Sequence, residues 1–321
     1  MSQFQVVDGA GVRLRCAVEG DGPLVIMVHG FPESWYSWRH QIGPIAAAGF
    51  RACAIDVRGY GGSDRPPAVA DYDMEHMIAD LVAVAEALSP GEKPILIGHD
   101  WGAPIVWNSA LVRPDRFRAV AALSVPYTGV PSRPFSEVFD EIFTRRNRFF
   151  YQAYFQKEGV AEAETEADVA DFLRKFYYAI SGDAPDGAWP NNKTASDPLL
   201  KGLIDPQPFP AWMTQADLDY YVGEFKGSGL RGPINRYRNH ERDFAYLQAF
   251  KERKIEQPAF FISGTRDPAF NMLGGADPIE IMRRFVPNLQ GAHVLEGCGH
   301  WTQQERPSEV NALLLPWLKG L

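Results

Sequence analysis

Apolar residues fall into short runs along this chain, and their spacing changes from run to run. Phe4–Val7 and Val12–Val18 alternate with polar neighbours around a Gly-containing turn, which predicts an antiparallel pair. "PLVIMVHG" is continuous rather than alternating, as in a strand buried on both faces. "FRACAIDVRGYGGSD" is a second such run and closes in a Gly-rich loop. "EHMIADLVAVAEAL" spaces its apolar residues as a helix; "KPILIG" predicts a strand, "APIVWNSALVRP" a helix and "FRAVAALSV" another strand. This alternation predicts an α/β architecture, a mostly parallel central sheet with helices on both faces.

The rhythm breaks at Pro131 and returns after Ala249 with the strand patterns "PAFFISGTRD" and "GAHVLEGCGH". Between them lie aromatic-rich helical patches, "FFYQAYFQ" and "DFLRKFYYAI", a long Pro-rich connection, and the helix–Gly–helix pattern "QADLDYYVGEFKGSGLRGPINRYRN". The pattern predicts a core domain of residues 1–130 and 250–321 and a helical cap at 131–249. An insertion above the strand ends is a natural lid. The acidic run "EAETEADVAD" within it reads as a solvated helix start, where negative charge suits the helix dipole.

Composition narrows the classes. With 321 residues, 45% of them hydrophobic, the chain can bury a large core. Its net charge of −8, without a Lys/Arg-rich run, argues against nucleic acid and anionic membranes as partners. No signal-peptide pattern opens the chain, and no stretch approaches the roughly 18 apolar residues of a membrane helix. The expectation is a cytoplasmic monomer or homodimer. Cys16, Cys53 and Cys298 are odd in number and have no zinc spacing, so they read as packing, with no metal and no cofactor expected.

One stretch carries chemistry. Gly98-His99-Asp100-Trp101-Gly102 lies between a predicted strand and a predicted helix and has the form of a nucleophile elbow, with Asp where G-x-S-x-G has Ser. Small neighbours are needed because the backbone crosses itself closely there. The helix directs its partial positive charge at Asp100, although Asp is also a good plain N-cap. "VHGFP" follows the strand ending at Val28; its Phe31 N–H and that of Trp101 would form an oxyanion hole. Asp267 in "GTRDPAF" and His300 in "GCGHWTQ" follow later strands, completing the order nucleophile, acid, histidine. His29 and His99 read as structural.

A carboxylate is a poor acyl-transfer nucleophile but serves for displacement at saturated carbon, giving an alkyl ester on the enzyme. Water activated by His300, itself oriented by Asp267, would then attack the ester carbonyl. The substrate must carry a leaving group on an sp³ carbon, which points to epoxides or alkyl halides. A departing alkoxide needs a proton donor. The cap supplies Tyr151, Tyr154, Tyr177, Tyr178, Tyr220, Tyr221 and Tyr237, and a phenol stays protonated at neutral pH while donating strongly.

The pieces "HGFPESWYSWRHQI", "GHDWG", "YFQKEGVAEAE", "GLRGPINRYRN" and "CGHWTQQERPSEVN" span core and cap. Through them the chain resembles the α/β-hydrolase-fold soluble epoxide hydrolases, and is similar to the C-terminal hydrolase domain of the mammalian enzyme. The resemblance implies the α/β-hydrolase fold and conversion of a small-molecule epoxide and water to a vicinal diol. Onto this sequence it maps the nucleophile at Asp100, the acid at Asp267, the base at His300 and the epoxide-activating tyrosines at Tyr151 and Tyr237. It also implies a cis bond between Phe31 and Pro32. The nearest alternative is a haloalkane dehalogenase with the same Asp nucleophile, in which the Trp101 indole would bind halide and the tyrosines would be idle. A fluoroacetate dehalogenase would need arginines just after the nucleophile, where Trp101 and Ala103 stand. A non-catalytic small-molecule receptor on the same fold is a further alternative, marked by binding without turnover.

Overall fold

The computed structural model describes residues 3–273 and 276–321. The alternating first runs form β1 (Gln3–Asp8) and β2 (Arg13–Glu19), paired antiparallel. The continuous apolar runs form β3 (Leu24–Val28), β4 (Arg51–Ile55), β5 (Ile95–His99) and β6 (Ala119–Leu123). All but Arg51 at the start of β4 are buried, as strands covered on both faces require. Helices α1 (Ile42–Ala47), α2 (Met74–Leu88) and α3 (Gly102–Val112) connect them. Later come β7 (Ala259–Gly264) and β8 (Leu289–Leu295).

The eight strands form one sheet in the order β1-β2-β4-β3-β5-β6-β7-β8. From β4 to β8 every neighbour is parallel; β2 pairs antiparallel with β4. The order reverses beside β3, whose neighbours are β4 and β5, and a crevice opens beyond strand ends at such a switch point. A large cluster around Leu96, Val106, Trp107 and Phe117 covers one face of the sheet, and a smaller one around Trp38, Ile97, Ile262 and Trp317 covers the other. Helix α3 is buried all round apart from half-buried Pro104, packed between the sheet strands β5 and β6 and helix α2.

Between β6 and β7 the described chain has no strand. Its helices are α4 (Phe135–Ile142), α5 (Tyr151–Tyr154), α6 (Val160–Ala167), α7 (Val169–Ala179), α8 (Gln215–Ser228), α9 (Arg231–Asn235) and α10 (His240–Leu247). The acidic run of α6 is not simply solvated. Glu162 pairs with Arg238, Glu164 accepts from the Tyr154 hydroxyl and the Leu199 and Leu200 N–H groups, and Glu166 accepts from the Leu230 N–H. Distant loops thus terminate on these carboxylates, which a charge pattern in sequence does not reveal.

Candidate active site

The turn from β5 into α3 leaves no room for a side chain at Gly98 or Gly102. Asp100 has φ +49°, in the left-handed region that costs a non-glycine residue about 1–2 kcal/mol. A Cβ on Gly98 would stand 2.2 Å from the Gly102 carbonyl oxygen, and one on Gly102 2.0 Å from that of Val28. A Cβ on Gly30 would stand 2.3 Å from Asp100 Oδ1. These glycines let the β3 loop approach the elbow until the Phe31 N–H donates to Asp100 Oδ1 at 2.8 Å. The Phe31–Pro32 bond is cis.

The other two triad candidates arrive from the ends of β7 and β8. His300 Nε2 lies 3.3 Å from Asp100 Oδ2, and His300 Nδ1 lies 2.9 Å from Asp267 Oδ1. Asp267 is fully buried and also accepts from the Ala269 N–H. Burial works against charge on His300, but Asp267 first and then Asp100 outweigh it, holding the imidazole well above its ordinary pKa. The three groups named from strand-end position therefore lie in one contiguous row. Ser124 joins it unforeseen: at φ +75°, just after β6, it holds its hydroxyl 2.9 Å from His300 Nδ1. The signal was a small polar residue at the end of a parallel strand, which is common enough to carry no weight in sequence.

Behind the row lies a buried polar network. His99 Nδ1 is 2.8 Å from Glu33, and its Nε2 is 2.7 Å from the His300 carbonyl oxygen. Glu33 also accepts from the Gly30 N–H and from the amides of Gln303 and Gln304. Burial raises the Glu33 pKa, but His99, then His29 and the Gly30 N–H, prevail and bring it down to about 2. His29 accepts from the Val57 N–H at Nε2 and faces the Gly30 carbonyl at Nδ1, so it braces the loop. Sequence marks both histidines as structural without giving their partners, because Glu33, Gln303 and Gln304 are far from His99 along the chain.

Tyr151 and Tyr237 line one cavity with Asp100, their ring centroids 5.7 Å apart. Tyr237 packs edge-on against Phe31 and Trp101. Burial, reinforced by Asp100, raises the Tyr151 phenol; burial, then Tyr151 and Asp100, raises that of Tyr237 as well. Both stay protonated across the neutral range. Of the other cap tyrosines, Tyr154 caps onto Glu164, Tyr177 donates to the Pro32 carbonyl and Tyr220 accepts from the Trp35 indole. Two cavities, of about 250 and 150 Å³, meet at Asp100, Tyr151, Ala269 and Met272. Trp101 and Gln152 line the larger, Phe31, Tyr237 and His300 the smaller.

Against known proteins, residues 23–307 match the model of the alpha/beta hydrolase fold family. Epoxide hydrolase A of Mycobacterium tuberculosis is 41% identical, over 99% of this chain and 97% of that protein. The chain belongs to the α/β-hydrolase-fold epoxide hydrolase family. A solved family structure, an epoxide hydrolase from an endophytic Streptomyces, superposes with TM-score 0.92 at 47% identity, covering 99% of this chain and 96% of that one. Bifunctional epoxide hydrolase 2 of Rattus norvegicus is 39% identical over 96% of this chain, which spans 54% of the rat protein. Among the described residues, no helix is long and apolar enough to cross a membrane.

Proposed function

We propose that this chain hydrolyses epoxides to vicinal diols through an ester on Asp100. The observation that carries the reading is a carboxylate at the elbow, facing two protonated phenols across a shared cavity. The Phe31 N–H fixes Oδ1, leaving Oδ2 to attack a ring carbon in line with the departing oxygen. Tyr151 and Tyr237 stabilise that oxygen as charge develops. A halide would leave without two phenols, so the haloalkane alternative gives them no task.

The second half needs a base. Ester formation removes the Asp100 negative charge and the acceptor it offered His300, both of which hold the imidazole pKa up. The imidazole is thereby released toward its basic form just when water must be deprotonated. Asp267 keeps Nδ1–H in place and supports the imidazolium that forms. The Phe31 and Trp101 N–H groups hold the tetrahedral oxyanion, and collapse regenerates the Asp100 carboxylate and frees the diol. We assign residues 131–249 as the cap that excludes water, on a core of 1–130 and 250–321. The three free, buried cysteines suit a cytoplasmic setting.

Single turnover with excess enzyme in oxygen-18 water tests the ester. Label is expected in the Asp100 peptide first and in diol only after a further cycle. Label entering diol at once, with the Asp100 peptide unlabelled, would refute it. Halide release from haloalkanes without diol formation from any epoxide would favour the dehalogenase reading.

A further inference from the structure

Tyr151 is followed directly by a glutamine, Gln152. On α5 the Gln152 amide nitrogen donates to Tyr151 Oη at 2.9 Å. The Gln156 amide bonds the backbone carbonyls of Gln152 and Tyr237, at 2.7 and 2.8 Å, so the segments bearing the two tyrosines are fixed to each other. Gln152 and Tyr151 both line the larger cavity, with Asp100 on its floor.

We propose that Gln152 is a positioning residue for ring opening, holding the Tyr151 hydroxyl so that its proton points to the epoxide oxygen. This rests on the reading of Tyr151 as a proton donor. A phenol has one proton and two lone pairs. The Gln152 N–H occupies a lone pair, so the Tyr151 proton must turn elsewhere. The bond matters more as the proton leaves, because an N–H donated to a phenolate is about twice as strong as one donated to a neutral phenol. The hydrogen bonds from Gln152 and Tyr237 already oppose the rise that burial imposes on the Tyr151 phenol.

The step balances. An Asp100 oxygen forms a bond to the ring carbon, and the carbon–oxygen bond of the epoxide breaks. The freed oxygen takes the Tyr151 proton, leaving a phenolate beneath the Gln152 amide. When water hydrolyses the ester, one proton remains after Asp100 leaves as carboxylate, and it returns to Tyr151.

The test is single-turnover alkylation of the enzyme by styrene oxide, followed by tryptophan fluorescence. Gln152→Leu is expected to slow alkylation about 10–100-fold at saturating epoxide, the range for a hydrogen bond to a charged partner. The half-saturating concentration should move little. In a Tyr151→Phe background the same change should matter by less than about twofold, since its effect runs through the missing hydroxyl. Gln152→Glu supplies a second readout within one folded protein. As carboxylate it cannot donate, and as neutral acid it can, so its rate relative to wild type should climb as pH falls. Wild-type alkylation in Tyr151→Phe would overturn the tyrosine reading itself. Slow Tyr151→Phe with wild-type-like Gln152→Leu, an undiminished Gln152→Leu loss in the Phe background, or a pH-independent Gln152→Glu ratio would overturn only the role given to Gln152.

Discussion

Replacing His300 with Gln should separate the two halves of the reaction. The imidazole meets the nucleophile at 3.3 Å, whereas the Phe31 N–H meets it at 2.8 Å, so backbone rather than His300 sets the attacking carboxylate. Gln retains a donor near that position and removes the positive charge, which otherwise attenuates the nucleophile. These effects oppose one another, and alkylation should change by less than about tenfold, one step of 1.4 kcal/mol. Hydrolysis of the ester loses its only base in the row, since Asp267 is fully buried beyond the ring. That loss should cost about 10²–10⁴-fold. The ester then outlives its formation and accumulates. Intact-mass spectrometry after adding styrene oxide should show the protein heavier by one substrate, and digestion should place the mass on the Asp100 peptide. A folded variant that binds epoxide and stays unmodified would mean His300 acts before ester formation, and the division of labour would be wrong.

Asp100→Asn should lower the His300 pKa, because it removes an opposite charge that faces the ring, and NMR titration of the ring would read it. An unmoved pKa would mean that Asp267 alone sustains the imidazolium. Gly98→Ala drives a Cβ to 2.2 Å from the Gly102 carbonyl, a backbone atom that cannot yield cheaply; a loss of about 3 kcal/mol or more should show in chemical unfolding. Glu33→Gln should cost about 3 kcal/mol at neutral pH by unpairing His99. Because the folded Glu33 pKa is depressed to about 2, its contribution is present above the unfolded carboxylate value and is lost as pH falls toward the folded one. The gap between wild type and variant should therefore be flat near neutrality and shrink on acidification below about pH 4.5; a gap constant down to pH 3 would sink the assignment.

Local rules determined much of this protein. Period-two and continuous apolar runs place all eight strands, because the pleat and two-sided burial act residue by residue. The glycines flanking Asp100 announce the elbow, since only a residue without Cβ fits where backbones cross. The carboxylate there selects alkyl rather than acyl chemistry, a choice made by one residue type. Tertiary structure decided what depends on contacts between distant segments. Charge pattern makes the α6 glutamates look solvated, yet loops from residues 199, 200 and 230 end on them. Ser124 and Gln152 are ordinary in sequence and acquire meaning from 2.9 Å contacts with His300 and Tyr151. The eight tyrosines between residues 131 and 249 look alike along the chain. Family resemblance singles out Tyr151 and Tyr237 among them, but no local pattern does. Cap packing sets both in one cavity with Asp100 and turns Tyr154, Tyr177 and Tyr220 to structural bonds, because a phenol's role is fixed by what surrounds its hydroxyl.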